Sequence, residues 1–330
     1  MKGDENISMN LTRKFEKAES RSWDADALRE LILGMRAAYE RGENTMAFAR
    51  EMTGNRVNSA VSVLIAYDLQ AGSYVADARA RPKYNDGWSQ QLASILDPLV
   101  SEQNSILEVG CGEATTLAGV IRHLSVKPTK VLGFDISWSR IAQGEAWLKE
   151  KQVTARLYVA DLFEIPLEDE SVDVVYTSHS IEPNGGREEE AIRELLRVAR
   201  QAVVLVEPIY ELADDAAKER MAQHGFVRGL RDTATRTGAK IAEYRLLELT
   251  DNPLNPSGVI VLEKTSVTAF HPKNSDQNNE IPWRCPLTHT PLVDHEDLFM
   301  STQAGLVYPV LRGVPMLRVQ HAIVASRIGK

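Results

Sequence analysis

Apolar positions along this chain follow two rhythms. In "DADALRELILGMRAAYERG" Leu28, Leu31, Ile32, Met35 and Tyr39 recur at i, i+3, i+4, i+7 and i+11, which predicts an amphipathic helix. Asp24 or Asp26 can cap its start, and Gly42 follows its end. "NSAVSVLIAYDLQAGSY" predicts a second helix, and residues 1–85 read together as a helical N-terminal cap. Over 86–265 short apolar runs alternate with helical stretches: "SILEVG", "KVLGFDI", "ARLYVA", "VDVVYTS", "AVVLVEP", "AEYRLLEL" and "SGVIVLEK". "TTLAGVIRHL" and "EEEAIRELLRVARQ" carry the helical spacing between them. Such alternation predicts an α/β fold, with a mostly parallel sheet covered on both faces. The last two runs, joined by "TDNPLNPSG", predict an antiparallel pair at one edge. Residues 266–280, containing "HPKNSDQNNE", read as a linker, and 281–330 as a small β-rich module too short for a large core of its own.

Composition narrows the classes. The 330 residues leave room for one large domain and an accessory one. No apolar run approaches the ~20 residues of a membrane-spanning helix, and "MKGDENISMNLTRKFEKAES" lacks the apolar core of a secretory signal. The two cysteines, Cys111 and Cys285, fall in different regions, which argues against a disulfide framework and for a reducing, cytoplasmic setting. A net charge of −8, from 46 acidic against 38 basic residues, argues against a nucleic-acid partner despite local basic stretches such as "RVARQ" and "RARPK".

The chemistry concentrates in "SILEVGCGEATTL". Glu108 ends a buried run, where an acid is costly unless something bonds to it. Gly110 and Gly112 let the chain turn sharply before a helix starting near Ala114 or Thr115. The second run ends in Asp135, placed to accept from a ribose diol, and the third in Asp161 and Leu162, placed to meet an adenine amino group and ring. Ligands of open parallel sheets bind beyond the strands' carboxyl ends, so the three acids converge on one crevice. A dinucleotide site wants a third glycine where Thr115 stands, and Glu113 would put negative charge near the pyrophosphate. A cationic ligand, S-adenosylmethionine, suits the acids better, and makes the expected counterpart of Glu108 cationic. Each residue also has a plain structural role: a tight turn for the glycines, a helix N-cap for Asp135, a turn cap for Asp161.

Over residues 86–265 these motifs resemble the class I S-adenosylmethionine-dependent methyltransferases: "LEVGCGEATT" as the E-x-G-x-G motif, Asp135 as the second-strand acid, "ADLFEIPLEDESVDVVYTSHSIE" as the third- and fourth-strand block, and "AVVLVEP" as the fifth strand. The resemblance implies a Rossmann-like sheet of order 3-2-1-4-5-7-6 with strand 7 antiparallel. It further implies that Glu108, Gly110 and Gly112 meet the methionine part, with Cys111 a small residue completing the loop. Asp135 and Ile136 would meet the ribose, Asp161 and Leu162 the adenine, and Ser178 would border the cofactor.

The acceptor side should lie past the fourth strand, at "TSHSIEPNGG". His179 there is either a base, oriented by Glu182 at i+3, or a structural residue beneath the cofactor. Glu207 and Tyr210 after the fifth strand are candidate acceptor walls. Tyr67 and Tyr74 are candidates for a lid, or for the core of their own helix. Residues 281–328 are similar to the small zinc-ribbon-like domains of the Trm112 type, which support methyltransferases by packing beside them. Gly305, Leu306, Tyr308, Pro309, Gly313 and Pro315 fit that pattern. Its metal half does not: only Cys285 remains, Thr288 stands at the second cysteine position, and one thiolate beside His289 and His295 is a weak zinc set, so a metal-free module is expected. The function expected is methyl transfer to a small molecule or biosynthetic precursor. A methyltransferase of the translation machinery, acting on RNA or protein, is the alternative, disfavoured because "TSHSIEPNGG" replaces an "NPPY"-type motif. A non-catalytic cofactor-binding scaffold is the third reading.

Overall fold

The structure, a computed structural model, describes residues 25–55, 57–264 and 281–328. The Asp24 cap, the N-terminal stretch and the 266–280 linker lie outside the described residues. The chain forms two compact units, 1–56 and 57–330.

In the first unit, α1 (Ala25–Glu40) buries Leu31, Met35 and Ala38 along one stripe. It is followed by α2 (Thr45–Thr53), whose N-cap Asn44 accepts from the amides of Met46 and Ala47, and whose end is closed by left-handed Gly54.

The second unit opens with α3 (Ala60–Leu69), α4 (Ser73–Ala80) and α5 (Pro82–Leu96). The single helix expected through "NSAVSVLIAYDLQAGSY" is therefore two, because the chain turns at Gln70–Gly72 with Gly72 at φ 97°. Helix α5 runs across residue 85, with Pro82 in its first turn. Next come β1 (Ser105–Val109), α6 (Thr115–His123), β2 (Lys130–Asp135), α7 (Trp138–Lys151), β3 (Arg156–Val159) and β4 (Val172–Ser178). They are followed by α8 (Glu188–Val198), β5 (Ala199–Pro208), α9 (Asp215–His224), α10 (Leu230–Arg236), β6 (Lys240–Leu246) and β7 (Ser257–Glu263).

These strands form one seven-stranded sheet in the order β3-β2-β1-β4-β5-β7-β6. The pairings from β3 through β5 are parallel, while β7 runs antiparallel to both β5 and β6. This is the Rossmann-like methyltransferase topology that the resemblance implied. Alternate strand residues feed two cores. Leu107, Val109, Val175, Val203 and Leu205 pack with α8 and α10 on one face. Ile106, Val174, Tyr176, Val204 and Val206 pack with α5, α6 and α7 on the other.

Residues 281–328 add a small antiparallel sheet of β8 (Val293–Asp294), β9 (Leu298–Ser301), β10 (Leu306–Leu311), β11 (Val314–Pro315) and β12 (Ile323–Val324). Trp283, Cys285, Phe299 and Tyr308 belong to the first core. Trp283 meets Tyr158 of β3 edge-on at 5.0 Å and Phe299 at 5.2 Å. The segment also joins the backbone on either side of the loop after β3. Leu317 N–H donates to Val159 O at 2.8 Å, Arg284 N–H to Pro166 O at 3.0 Å, and Glu168 N–H to Pro282 O at 3.0 Å.

Candidate functional site

The carboxyl ends of β1 to β4 surround a crevice, with residues from all four strand ends in its wall. Its floor is the turn after β1. Gly110 and Gly112 hold φ values of 68° and 55°, and Ala114 follows at 54° just before α6. A Cβ on Gly110 would stand 2.3 Å from the Ser180 Cβ, so a close neighbour as well as the dihedral requires glycine there. Cys111 N–H continues the β1–β2 ladder by donating to Phe134 O at 2.8 Å.

Asp135, at the tip of β2, organises this turn. Its Oδ2 accepts from Gly112 N–H at 3.1 Å and its Oδ1 from Ser137 N–H at 2.9 Å. Burial pushes its pKa up, against the pull of Arg140 and these amides. Asp161, past β3, accepts from Phe163 N–H at 3.1 Å, and the loop that follows brings Leu162 and Phe163 into the wall. Ser178 ends β4, and His179 follows it into the wall.

His179 sits at φ 59°, with Nδ1 2.6 Å from Glu182 Oε2 and Nε2 2.7 Å from Ser257 Oγ. Trp88 meets its ring edge-on at 5.9 Å, and Asn255 Nδ2–H donates to Glu182 Oε1 at 3.0 Å. Burial lowers the imidazole pKa, but the Glu182 carboxylate, with Glu207 and Asp251 farther off, makes the net shift upward.

The roof comes from α3 and α4, which bring Tyr67 and Tyr74 over the crevice. Three polar ties join these helices to the floor. Glu113 accepts from Gly72 N–H at 2.8 Å and Val75 N–H at 2.7 Å, capping α4. Ser137 Oγ–H donates to Asp68 Oδ1 at 2.6 Å. Arg140 Nε–H donates to the Tyr67 carbonyl at 2.8 Å.

Of the residues singled out in the sequence, Gly110, Gly112, Asp135, Ile136, Asp161, Leu162, Ser178, His179, Tyr67 and Tyr74 line the crevice. Five do not. Glu108 is buried inside the sheet, and its partner is a neutral phenol where a cation was expected: Tyr176 O–H donates to its Oε2 at 2.9 Å. Burial raises the Glu108 carboxyl to about 8, with the phenol opposing. Cys111 is buried in the core behind the turn. Glu182 stands behind His179. Glu207 is fully buried and accepts from the amides of Ser180, Ile181 and Glu182, which makes it the anchor of the loop after β4 and removes it from the acceptor wall. Tyr210 packs against the small cluster of Ala213, Ala217 and Met221, with Arg228 over its ring. Sequence reasoning missed Arg140, a buried cation in the crevice wall. Its signal was present: a cation on the stripe that also carries Gly144 and Trp147, the buried side of α7.

The wall suits S-adenosylmethionine. Two carboxylates, Asp135 and Asp161, can accept from hydroxyl and amino donors and favour a cationic ligand. Beside Gly110, the Ser180 hydroxyl is buried without a hydrogen-bond partner, a group that a ligand there would satisfy. Among the described residues no group of three or more His, Cys, Asp and Glu side chains is placed to hold a metal ion. In the C-terminal sheet, Cys285 Sγ lies 3.2 Å from Tyr308 Oη and accepts from Thr288 N–H at 3.4 Å.

Residues 106–202, from β1 into β5, match the family described as "Methyltransferase domain". No curated protein matches the chain. Solved structures with a similar fold include the geranyl diphosphate C-methyltransferase of Streptomyces coelicolor, at 12% identity and a TM-score of 0.43, covering 53% of this chain and 78% of that one. A complex containing the Trm112 methyltransferase activator of Haloferax volcanii aligns at 13% identity and a TM-score of 0.47, covering 60% of this chain and 96% of that one. The [4+2]-cyclase SpnF aligns at 14% and 0.43, covering 53% and 80%.

Proposed function

We propose that this chain, an enzyme whose residues 106–202 are a methyltransferase domain with S-adenosylmethionine as cofactor, methylates a small molecule or a biosynthetic precursor. When bound, the cofactor supplies an electrophilic methyl group on its sulfonium. The chain's part is to align an acceptor and exclude water. In this reading Asp135 and Ile136 hold the ribose, Asp161 and Leu162 the adenine, and the Gly110–Gly112 turn the methionine end, with Ser178 alongside.

The observation that carries the acceptor reading is the roof. Tyr67 and Tyr74 cover the crevice and are tied to its floor through Glu113, Asp68 and Arg140. A roofed crevice favours a compact acceptor over a long polymer. Ala60, Val63, Phe163 and Pro183 add an apolar wall fitting an acceptor with substantial carbon surface. His179 takes the positioning role rather than that of base, since Glu182 and Ser257 engage both ring nitrogens.

The Trm112-like reading of residues 281–328 is that of a metal-free support acting in cis. Supporting it are the backbone bonds at Val159, Pro166 and Glu168, which hold both ends of the loop carrying Asp161 and Leu162. Stoichiometric zinc in the purified protein would overturn the metal-free assignment. Both cysteines are free and buried, in keeping with a reducing cytoplasmic setting, and among the described residues no helix is long and apolar enough to cross a membrane.

Calorimetry should detect S-adenosylmethionine binding, weakened about tenfold or more by Asp135→Ala. Tight NAD binding in its place would refute the cofactor assignment. Labelled cofactor incubated with fractionated lysate should mark the small-molecule fraction. Label in RNA or protein would favour the translation-machinery alternative, and binding without any transfer the scaffold.

A further inference from the structure

Arg140 is 1% exposed, yet it lines the crevice. Its guanidinium lies between two aromatic rings, 4.9 Å from the Tyr67 centroid and 4.2 Å from that of Tyr74. Nε–H donates to the Tyr67 carbonyl at 2.8 Å, and Nη2–H reaches Gln70 Oε1 at 3.5 Å. Nη1 stands 3.4 Å from where a Cβ on Gly112 would be, directly beside the glycine turn. Asp135 and Glu113 act on it through space, and Tyr74 shares a side-chain hydrogen bond with it, yet among the described residues no carboxylate forms an ion pair with it within 4.0 Å. Burying a guanidinium without a paired anion is costly, and rings and carbonyls repay only part of that cost. The arrangement is that of a cation held ready for an anion entering at the turn.

We infer that Arg140 binds the α-carboxylate of S-adenosylmethionine, and so selects the amino-acid form of the cofactor over forms lacking that group. This rests on the cofactor reading above. In that reading Asp135 and Asp161 are engaged by the ribose and the adenine, and the carboxylate of the methionine end, at the Gly110–Gly112 turn, meets Arg140, the one arginine or lysine among the described residues of the wall. Arginine suits the task, since its planar fork matches a carboxylate and its faces stack on aromatic rings. Tyr67 and Tyr74 fix the plane of that fork, which gives the roof a role in recognition.

The test compares S-adenosylmethionine with its decarboxylated analogue by calorimetry, in the wild type and in Arg140→Gln. The wild type should prefer the carboxylate-bearing ligand by about tenfold to a hundredfold, the weight of one charge-assisted hydrogen-bonding pair. Arg140→Gln should erase that preference while leaving affinity for the decarboxylated analogue within a few fold, and Arg140→Lys should retain part of it. Equal weakening toward both ligands in Arg140→Gln would mean that Arg140 only braces the roof, and would sink the proposal. So would a wild type with no preference. A wild type that binds neither ligand would refute the cofactor reading itself and this inference with it. Should Arg140→Gln fail to fold, Arg140→Lys decides the matter, because a structural role would leave its ligand preference unchanged.

Discussion

Two buried side chains give stability the same dependence on pH, a fall as pH rises, from different chemistry. The Glu108 carboxyl titrates near 8, above its unfolded value, so the folded protein holds more protons between roughly pH 4.5 and 8 and loses stability as pH rises through that window. Glu108→Gln should flatten this slope and raise stability at pH 8.5 by about 1–3 kcal/mol, as read by denaturant unfolding at pH 5.5 and 8.5. The His179 imidazole, also raised above its unfolded value, contributes stability that is complete below its ordinary pKa and fades as pH climbs through the raised one. Glu182→Gln should remove that contribution. His179→Asn should lower thermal stability and leave kcat within about tenfold, with its pH profile unchanged. A loss beyond a hundredfold together with a vanished acid limb would restore His179 as the base. Glu108 also shows where sequence reading stops. An acid after an apolar run is visible, but its partner Tyr176 lies directly opposite it across β1 and β4, and that register is not written in either strand alone. Arg140 left a signal, a cation on the apolar stripe of α7, but one with a common second meaning. A charged residue on a helix reads as solvated until the buried stripe of α7 is known.

At the scale of elements, strand identity was legible because buried parallel strands are near-continuous apolar runs flanked by turn residues, and β1 to β7 fall on the seven such runs of the sequence. Helix limits were less so: the α3–α4 break depends on three residues at Gln70–Gly72, and α5 begins at Pro82 although its apolar stripe, Trp88, Leu92, Ile95 and Leu96, starts only in its second turn. Glu113 was read as a charge repelling phosphate, whereas it caps α4. Glu113→Ala should therefore loosen the roof by about 1–2 kcal/mol and speed amide exchange across residues 60–80 while the sheet stays protected. Helices α5 and α6 approach so closely at Gly119 that a Cβ there would lie 2.0 Å from Ser89 Oγ. Gly119→Ala should cost about 1–3 kcal/mol in thermal or denaturant unfolding, and Ser89→Gly in the same chain should recover part of the loss.

At the scale of the whole Val57–Lys330 unit, the C-terminal sheet shares a core with the large one through Tyr158, Trp283 and Phe299. The two sheets should therefore melt together. Calorimetric and van't Hoff enthalpies of the unit should agree, and Trp283→Ala should lower stability by about 3–5 kcal/mol across both sheets. A separate early transition would instead mark the C-terminal sheet as independent. The sequence separated these regions because a polar stretch divides them, and composition carries no trace of contacts made across that stretch.

The bond from Leu317 N–H to Val159 O has a consequence for synthesis. The outer side of β3 is sealed by residues more than 150 positions later in the chain. On the ribosome, the nascent sheet must therefore present a bare rim until residue 317 clears the exit tunnel, at translation speeds a wait of some ten seconds or more. During that interval the half-made protein is a substrate for chaperones, and rare codons beyond residue 281 would lengthen its exposure.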